Sequence, residues 1–213
     1  MRFFLLFLCS ILSVGYSFEI VRIISSFLRY EEIPGNLIGF MTGVAIFVII
    51  WLYFYDFWRN WMGFFTHELT HAISCMMSSS RVLQFVVNRG RVSWVTCERG
   101  NVFISLSPYF LPIFSFIPVA LIPFIKGNYF FYLYITIGFT TMYHLTTFIT
   151  QFRSSQPDLQ YAGFFTSTIY VVFGNIFFTG LILGLISDGY RGMWKFVKGG
   201  WILLFDLARK ILF

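Results

Sequence analysis

The chain carries very little charge for its length. Only 11% of its 213 residues are Asp, Glu, Lys or Arg, whereas soluble domains carry about 25%. A chain with half that density of charge cannot coat a globule of this size with polar surface. The composition therefore argues against a water-soluble fold for the chain as a whole, and lipid is the expected solvent.

Cysteine is also scarce, and its spacing is irregular. The three cysteines are Cys9, Cys75 and Cys97, and an odd set without regular spacing argues against a disulfide framework. Cys9 and Cys75 lie in apolar stretches, where we expect them to pack as small hydrophobic side chains.

The chain lacks a basic stripe with interleaved aromatic residues, although its net charge is +6. Lys and Arg lie in loops and at the ends of apolar segments, where they set membrane topology or meet anionic headgroups. We therefore expect the lipid bilayer as a partner and no nucleic acid.

Hydrophobic residues, in contrast, make up 58% of the chain, with 30 Phe, 12 Tyr and 6 Trp. They predict an all-α polytopic membrane protein with about six transmembrane helices, an integral multi-pass protein for which we expect the cytoplasmic membrane of a prokaryote. The six segments cover about 3–28, 37–58, 61–77, 102–125, 129–150 and 161–186. We expect one membrane-embedded domain over 1–213, with its core at about 61–186 and an amphipathic interfacial tail over 187–213. A short seventh span is the alternative for the tail.

The first segment resembles a signal peptide, because Met1-Arg2 precedes an apolar run that ends in small residues. Apolar character resumes after Glu19, however, which favours a retained membrane helix. Further along the chain, 82–87 and 91–96 are β-branched runs separated by Asn88-Arg89-Gly90. This pattern predicts a short β-hairpin after the third segment, with an irregular loop as the alternative.

The chemistry of the chain is concentrated in the run His67-Glu68-Leu69-Thr70-His71. Histidines four residues apart share one face of a helix, where they lie about 6 Å apart and can grip one tetrahedral Zn²⁺. Glu68, next to the open position of the metal, can take a proton from water and pass it to a leaving amine. Such polar residues are costly in an apolar segment, which favours a functional site.

A zinc site of this kind needs a third protein ligand, and the sequence offers two candidates. Asp158 lies in a polar break before the sixth segment, where it is either a ligand or a helix N-cap. His144 lies in a stripe of hydroxyls within the fifth segment. His144 has four possible roles: it completes a three-histidine site, stabilises the oxyanion, bonds to Asp158, or is a hydrogen-bonded core histidine.

These residues resemble the site-2 protease group of intramembrane zinc metalloproteases, the M50-type family, over about 61–186. The motif in an apolar helix is followed by a hairpin-like segment and by Ser105-Leu106-Ser107-Pro108, which looks like the Ala-Gly-Pro element of that group. Pro157-Asp158, 87 residues after His71, is similar in placement to its Pro-Leu-Asp-Gly motif. Leu159 replaces the usual glycine, and the asparagine that usually precedes the motif is missing around 147–151.

The resemblance implies that His67, His71 and Asp158 hold one Zn²⁺ per chain and that Glu68 is catalytic. The expected function is hydrolysis of peptide bonds in a membrane protein or peptide substrate, with a possible contribution from His144. The rival interpretations are a metal-binding membrane protein without protease activity, such as a metal transporter, and a structural membrane subunit that binds no zinc.

Overall fold

A computed structural model describes residues 2–88, 93–127 and 129–212. Within them the regular secondary structure is helical apart from one antiparallel sheet of two strands, which fits the predicted all-α class. The helices are α1 (Arg2–Phe27), α2 (Gly35–Tyr53), α3 (Tyr55–Phe57), α4 (Gly63–Met77), α5 (Val102–Leu106), α6 (Ile113–Leu121), α7 (Tyr129–Gln151), α8 (Pro157–Tyr161) and α9 (Phe164–Leu212). The strands β1 (Val82–Val86) and β2 (Trp94–Cys97) lie between α4 and α5.

In the described part of the chain, three helices are long and apolar enough to cross a membrane, namely Phe3–Phe27, Gly35–Tyr53 and Phe164–Leu203. A fourth candidate is the pair Val102–Tyr109 and Ile113–Phe124, which is bent by 78°. The chain is thus compatible with a membrane protein, but the predicted count of six spans is not confirmed. One reason is that α4 has only 15 residues, fewer than the roughly 20 that a span needs. Another is that α7, with 23 residues, mixes hydroxyl-bearing residues into its apolar sequence.

Helices α2 and α7 pack closely because glycines remove side chains from their contact. A Cβ added at Gly43 would fall on the backbone of Ile135, and one added at Gly138 would fall on the backbone of Phe40. Small residues let helix backbones approach in this way within membranes. Gln151, at the carboxyl end of α7, lies beside Gly63 at the start of α4.

Helix α9 folds back on itself at Asp188–Gly189, where the backbone is not helical and Gly189 has a φ of 57°, a conformation that glycine adopts at no steric cost. Residues 190–212 return along 164–187, so that Gly192 lies on Gly184 and Phe196 on Gly180. Phe196 is 1% exposed and packs on Tyr16 of α1. The interfacial position of the tail stays a prediction, and the structure adds that the tail packs on α1 and on the first part of α9, 164–187.

The predicted hairpin is present as β1 and β2, with Val86 opposite Trp94 and Val82 opposite Cys97. The predicted turn and the start of the second predicted run fall partly on 89–92, outside the described residues. The hairpin begins five residues after α4 ends, so it stays beside the helix that carries the histidines.

The expectation that Cys75 packs simply as a small hydrophobic side chain is wrong, because Cys75 is half of a disulfide. Cys75, near the end of α4, is bonded to Cys97, the last residue of β2. The hairpin causes this, because it returns the chain to its starting point and brings residue 97 back to α4 across a sequence separation of 22. Sequence spacing alone does not reveal such a return. The disulfide fastens the end of the hairpin to the histidine helix, while Cys9 is a free thiol.

Candidate metal centre

Helix α4 is held in place by buried hydroxyl groups on both sides. The Thr66 hydroxyl lies 2.7 Å from that of Tyr143 in α7, and the Ser74 hydroxyl lies 2.7 Å from that of Ser107 in the turn after α5. Ser74 and Ser107 are both fully buried. Since both contacts are short and shielded from solvent, they fix the rotation of α4 about its axis, and this rotation decides where its histidines point.

The histidines of α4 meet Asp158 of α8 at one point. The Nε2 atoms of His67 and His71 are 3.2 Å apart. Asp158 Oδ2 lies 3.2 Å from His67 Nε2 and 3.4 Å from His71 Nε2. Three atoms that are metal ligands in proteins thus form a nearly equilateral triangle.

The triangle has the dimensions of one face of a tetrahedral zinc site. Ligands at about 2.0–2.1 Å from Zn²⁺ are separated by about 3.3–3.4 Å in a tetrahedron. The three observed separations fall within about 0.2 Å of this range, the tolerance expected for a metal site. The residues therefore fit Zn²⁺, and a fourth position remains for water or substrate.

Both imidazoles are oriented by an acceptor on their other nitrogen. His67 Nδ1 donates to Gln151 Oε1 at 2.8 Å, and His71 Nδ1 donates to the backbone oxygen of Ile104 at 2.8 Å. With the proton on Nδ1, the lone pair of each Nε2 points into the triangle. This is the arrangement by which proteins prepare histidine as a metal ligand.

The backbone oxygen of Ile104 is available to His71 because residue 108 is a proline. In a continuous helix the N–H of residue 108 would donate to the oxygen of residue 104, but proline has no N–H. The Ile104 oxygen accepts from His71 instead, and from the Ser107 hydroxyl at 3.0 Å. The Ser-Leu-Ser-Pro element thus has a physical role at this centre, since it provides the acceptor that orients His71.

Asp158 points its carboxylate at the histidines and does not cap a helix. The N-cap residue of α8 is Gln156, and no side chain caps that end. Asp158 Oδ2 is the atom that faces both imidazoles. The Tyr109 hydroxyl donates to the same Oδ2 at 3.4 Å. Of the two predicted alternatives, the geometry favours the ligand.

The triangle opens into a cavity of about 790 Å³. Glu68, 7% exposed, lines this cavity together with both histidines and Asp158. Gln151, the last residue of α7, and Gln156 contribute polar groups to the wall. The three candidate ligands and Glu68 therefore share one open cavity.

His144 is not brought to this cavity. Its Nε2 lies 3.2 Å from Asn175 Oδ1, and it borders a separate void of about 20 Å³ that His67 also borders. Because its Nε2 is engaged by Asn175, the geometry favours the hydrogen-bonded core histidine among the four predicted roles. The predicted catalytic role of His144 has no contact that supports it among the described residues.

Three supporting residues were missed by reasoning from the sequence, namely Tyr109, Gln151 and Asn175. Gln151 carried a signal, because it is a polar residue at the end of an apolar segment, seven residues before Asp158. Tyr109 and Asn175 carried none, since isolated polar residues in apolar segments have many uses.

Comparison of the chain with models of protein families, with curated proteins and with solved structures gives no match. The resemblance to site-2 proteases therefore remains a resemblance of motifs and their order.

Proposed function

We propose that the protein is an intramembrane zinc metalloprotease that hydrolyses peptide bonds of membrane-associated substrates. The observation that carries this proposal is the triangle of His67 Nε2, His71 Nε2 and Asp158 Oδ2, with separations of 3.2, 3.2 and 3.4 Å. The orientation of both imidazoles by acceptors on Nδ1 supports the same conclusion.

His67, His71 and Asp158 would hold the ion, and Glu68 would move the proton. Zn²⁺, when bound, supplies a Lewis acid that polarises the scissile carbonyl and makes water more acidic. Glu68 lies on the cavity wall with the ligands, where its carboxylate accepts a proton from the attacking water. It then delivers that proton to the leaving amine as the peptide bond breaks.

Strand β2 provides a surface for an extended substrate. Trp94 and Val95 line the same cavity as the metal ligands. The sheet has only two strands, so β2 pairs with β1 on one side and its other edge is unpaired within the described residues. A substrate segment can add to this edge as a third strand, which keeps its peptide bonds extended and accessible.

The test is Glu68→Gln in purified protein, with Glu98→Gln as the matched control in the exposed arm of the hairpin. We expect Glu68→Gln to retain zinc and to cleave a membrane-anchored peptide about 10²–10⁴-fold more slowly, as loss of a general base predicts. Glu98→Gln should cleave at the wild-type rate. Cleavage by Glu68→Gln at the wild-type rate contradicts the mechanism. Zinc flux in proteoliposomes without any cleavage would favour a transporter.

A further inference from the structure

A chain of partly buried hydrogen bonds leads from His144 to the candidate metal ligand Asp158. We propose that His144 and Asn175 are positioning residues, which act through Tyr109 to hold Asp158 in its metal-binding orientation. The inference rests on the metal-binding part of the proposed function and does not depend on peptidase activity.

The contact nearest to the metal centre is the Tyr109 side chain. Tyr109 is fully buried, and its hydroxyl donates to Asp158 Oδ2, the atom that faces both imidazoles. Its ring also packs edge-on against His67, with 5.3 Å between the ring centroids. Tyr109 therefore contacts two of the three candidate ligands: its hydroxyl restrains the Asp158 carboxylate, and its ring restrains the His67 imidazole.

The backbone of Tyr109 is fixed in turn by Asn175 of α9. The Tyr109 oxygen would ordinarily accept from residue 112 or 113, but Pro112 has no N–H. The N–H of Ile113 donates to the oxygen of Leu111 instead. Asn175 Nδ2 fills this gap and donates to the Tyr109 oxygen at 2.7 Å. Without Asn175, a buried carbonyl at the metal centre would lose this donor.

His144 determines which way the Asn175 amide faces. The Nε2–H of His144 donates to Asn175 Oδ1 at 3.2 Å, which requires the oxygen to face α7. The amide nitrogen then faces Tyr109 and the oxygen of Val171, to which it donates at 2.9 Å. If the amide rotated by half a turn, its oxygen would meet the Tyr109 oxygen, and the two would repel each other.

The experiment measures zinc affinity, by competition with a chromophoric chelator, on full-length protein in detergent. We expect Tyr109→Phe, which removes only the hydroxyl, to bind zinc about 10–100-fold more weakly than wild type, the range for groups that support metal ligands. Tyr16→Phe is the matched control, since Tyr16 is a buried tyrosine whose hydroxyl lies 3.4 Å from the oxygen of Val197. It should bind zinc like wild type.

The role of His144 is tested by a double-mutant cycle. His144→Ala should weaken zinc binding in the wild-type background and should have no further effect in the Tyr109→Phe background, because the hydroxyl it serves is already gone. His144→Gln, which keeps an N–H donor, should restore binding. This variant also keeps the test valid if His144→Ala does not fold.

Equal effects of His144→Ala on zinc affinity in both backgrounds, or no effect in either, would overturn the proposal that His144 acts through Tyr109. So would a His144→Gln variant that folds and binds zinc as weakly as His144→Ala. If the wild-type protein binds no zinc, the proposed metal site itself is wrong. If the wild-type protein binds zinc and the variants bind it equally well, only the positioning role of His144 and Asn175 is wrong.

Discussion

The histidines of α4 and the histidine of α7 are placed in apolar helices of the same bundle, yet their surroundings differ. His67 and His71 border a cavity of about 790 Å³, and each uses Nδ1 for a hydrogen bond. His144 borders a void of about 20 Å³ and uses Nε2 for its hydrogen bond.

The difference shows that the acceptor beside each histidine decides its chemistry. An acceptor at Nδ1 leaves Nε2 free to bind a metal, whereas the bond from His144 to Asn175 occupies Nε2. The void beside His144 has room for about one water and none for a peptide. The two environments thus separate candidate metal ligands from a residue that supports them.

The largest expected effect is loss of zinc when a residue of the triangle is replaced, with no such loss when His144 is replaced. Alanine at His67 or at Asp158 removes one of three ligands, so the zinc content should fall from about one per chain to near zero. His144→Ala should still bind about one zinc when the ion is in excess. Metal analysis of the purified proteins measures this, and a loss in His144→Ala alone would reverse the assignment of the two environments.

A smaller effect is expected when the acceptor of His67 is removed. Gln151→Leu deletes the oxygen that receives the Nδ1 proton, and zinc affinity should fall about 10–100-fold. Gln156→Leu changes the same cavity wall and is the matched control. Equal losses of zinc affinity in the two variants would mean that the polarity of the cavity matters and the orientation of His67 does not.

The smallest effect is expected at Pro108. Alanine there restores a backbone N–H that competes with His71 for the oxygen of Ile104, so zinc affinity should fall by about tenfold or less. Pro123→Ala, at an exposed turn, should leave zinc affinity unchanged. An unchanged affinity in folded Pro108→Ala protein would show that His71 keeps its acceptor without help from proline.

Much of the candidate site could be predicted because its ligands follow local rules. The spacing of His67 and His71 places them on one helical face whatever surrounds the helix. Asp158 was marked by its polar break, which left the choice between a ligand and a cap. The structure speaks against the cap, because Gln156 takes the N-cap position and Asp158 Oδ2 lies 3.2 Å from His67 Nε2.

The fold was predictable in class and less so in detail. The apolar composition and the β-branched runs predicted helices and a hairpin, and both are present. The number of spans could not be predicted from apolar sequence alone. Apolar stretches form the spanning helices, but they also form the short helix α4 and the bent pair at Pro112. The bond between Cys75 and Cys97 also depended on how the hairpin returns.

The sequence by itself determined an apolar helical protein with a zinc-type motif, because composition and helical periodicity are local properties. Only the tertiary structure decided that Asp158 joins the histidines and that His144 does not. The physical reason is that a ligand is defined by where its lone pair points. That direction is set by acceptors such as Gln151 and the Ile104 carbonyl, which lie far from His67 and His71 along the chain.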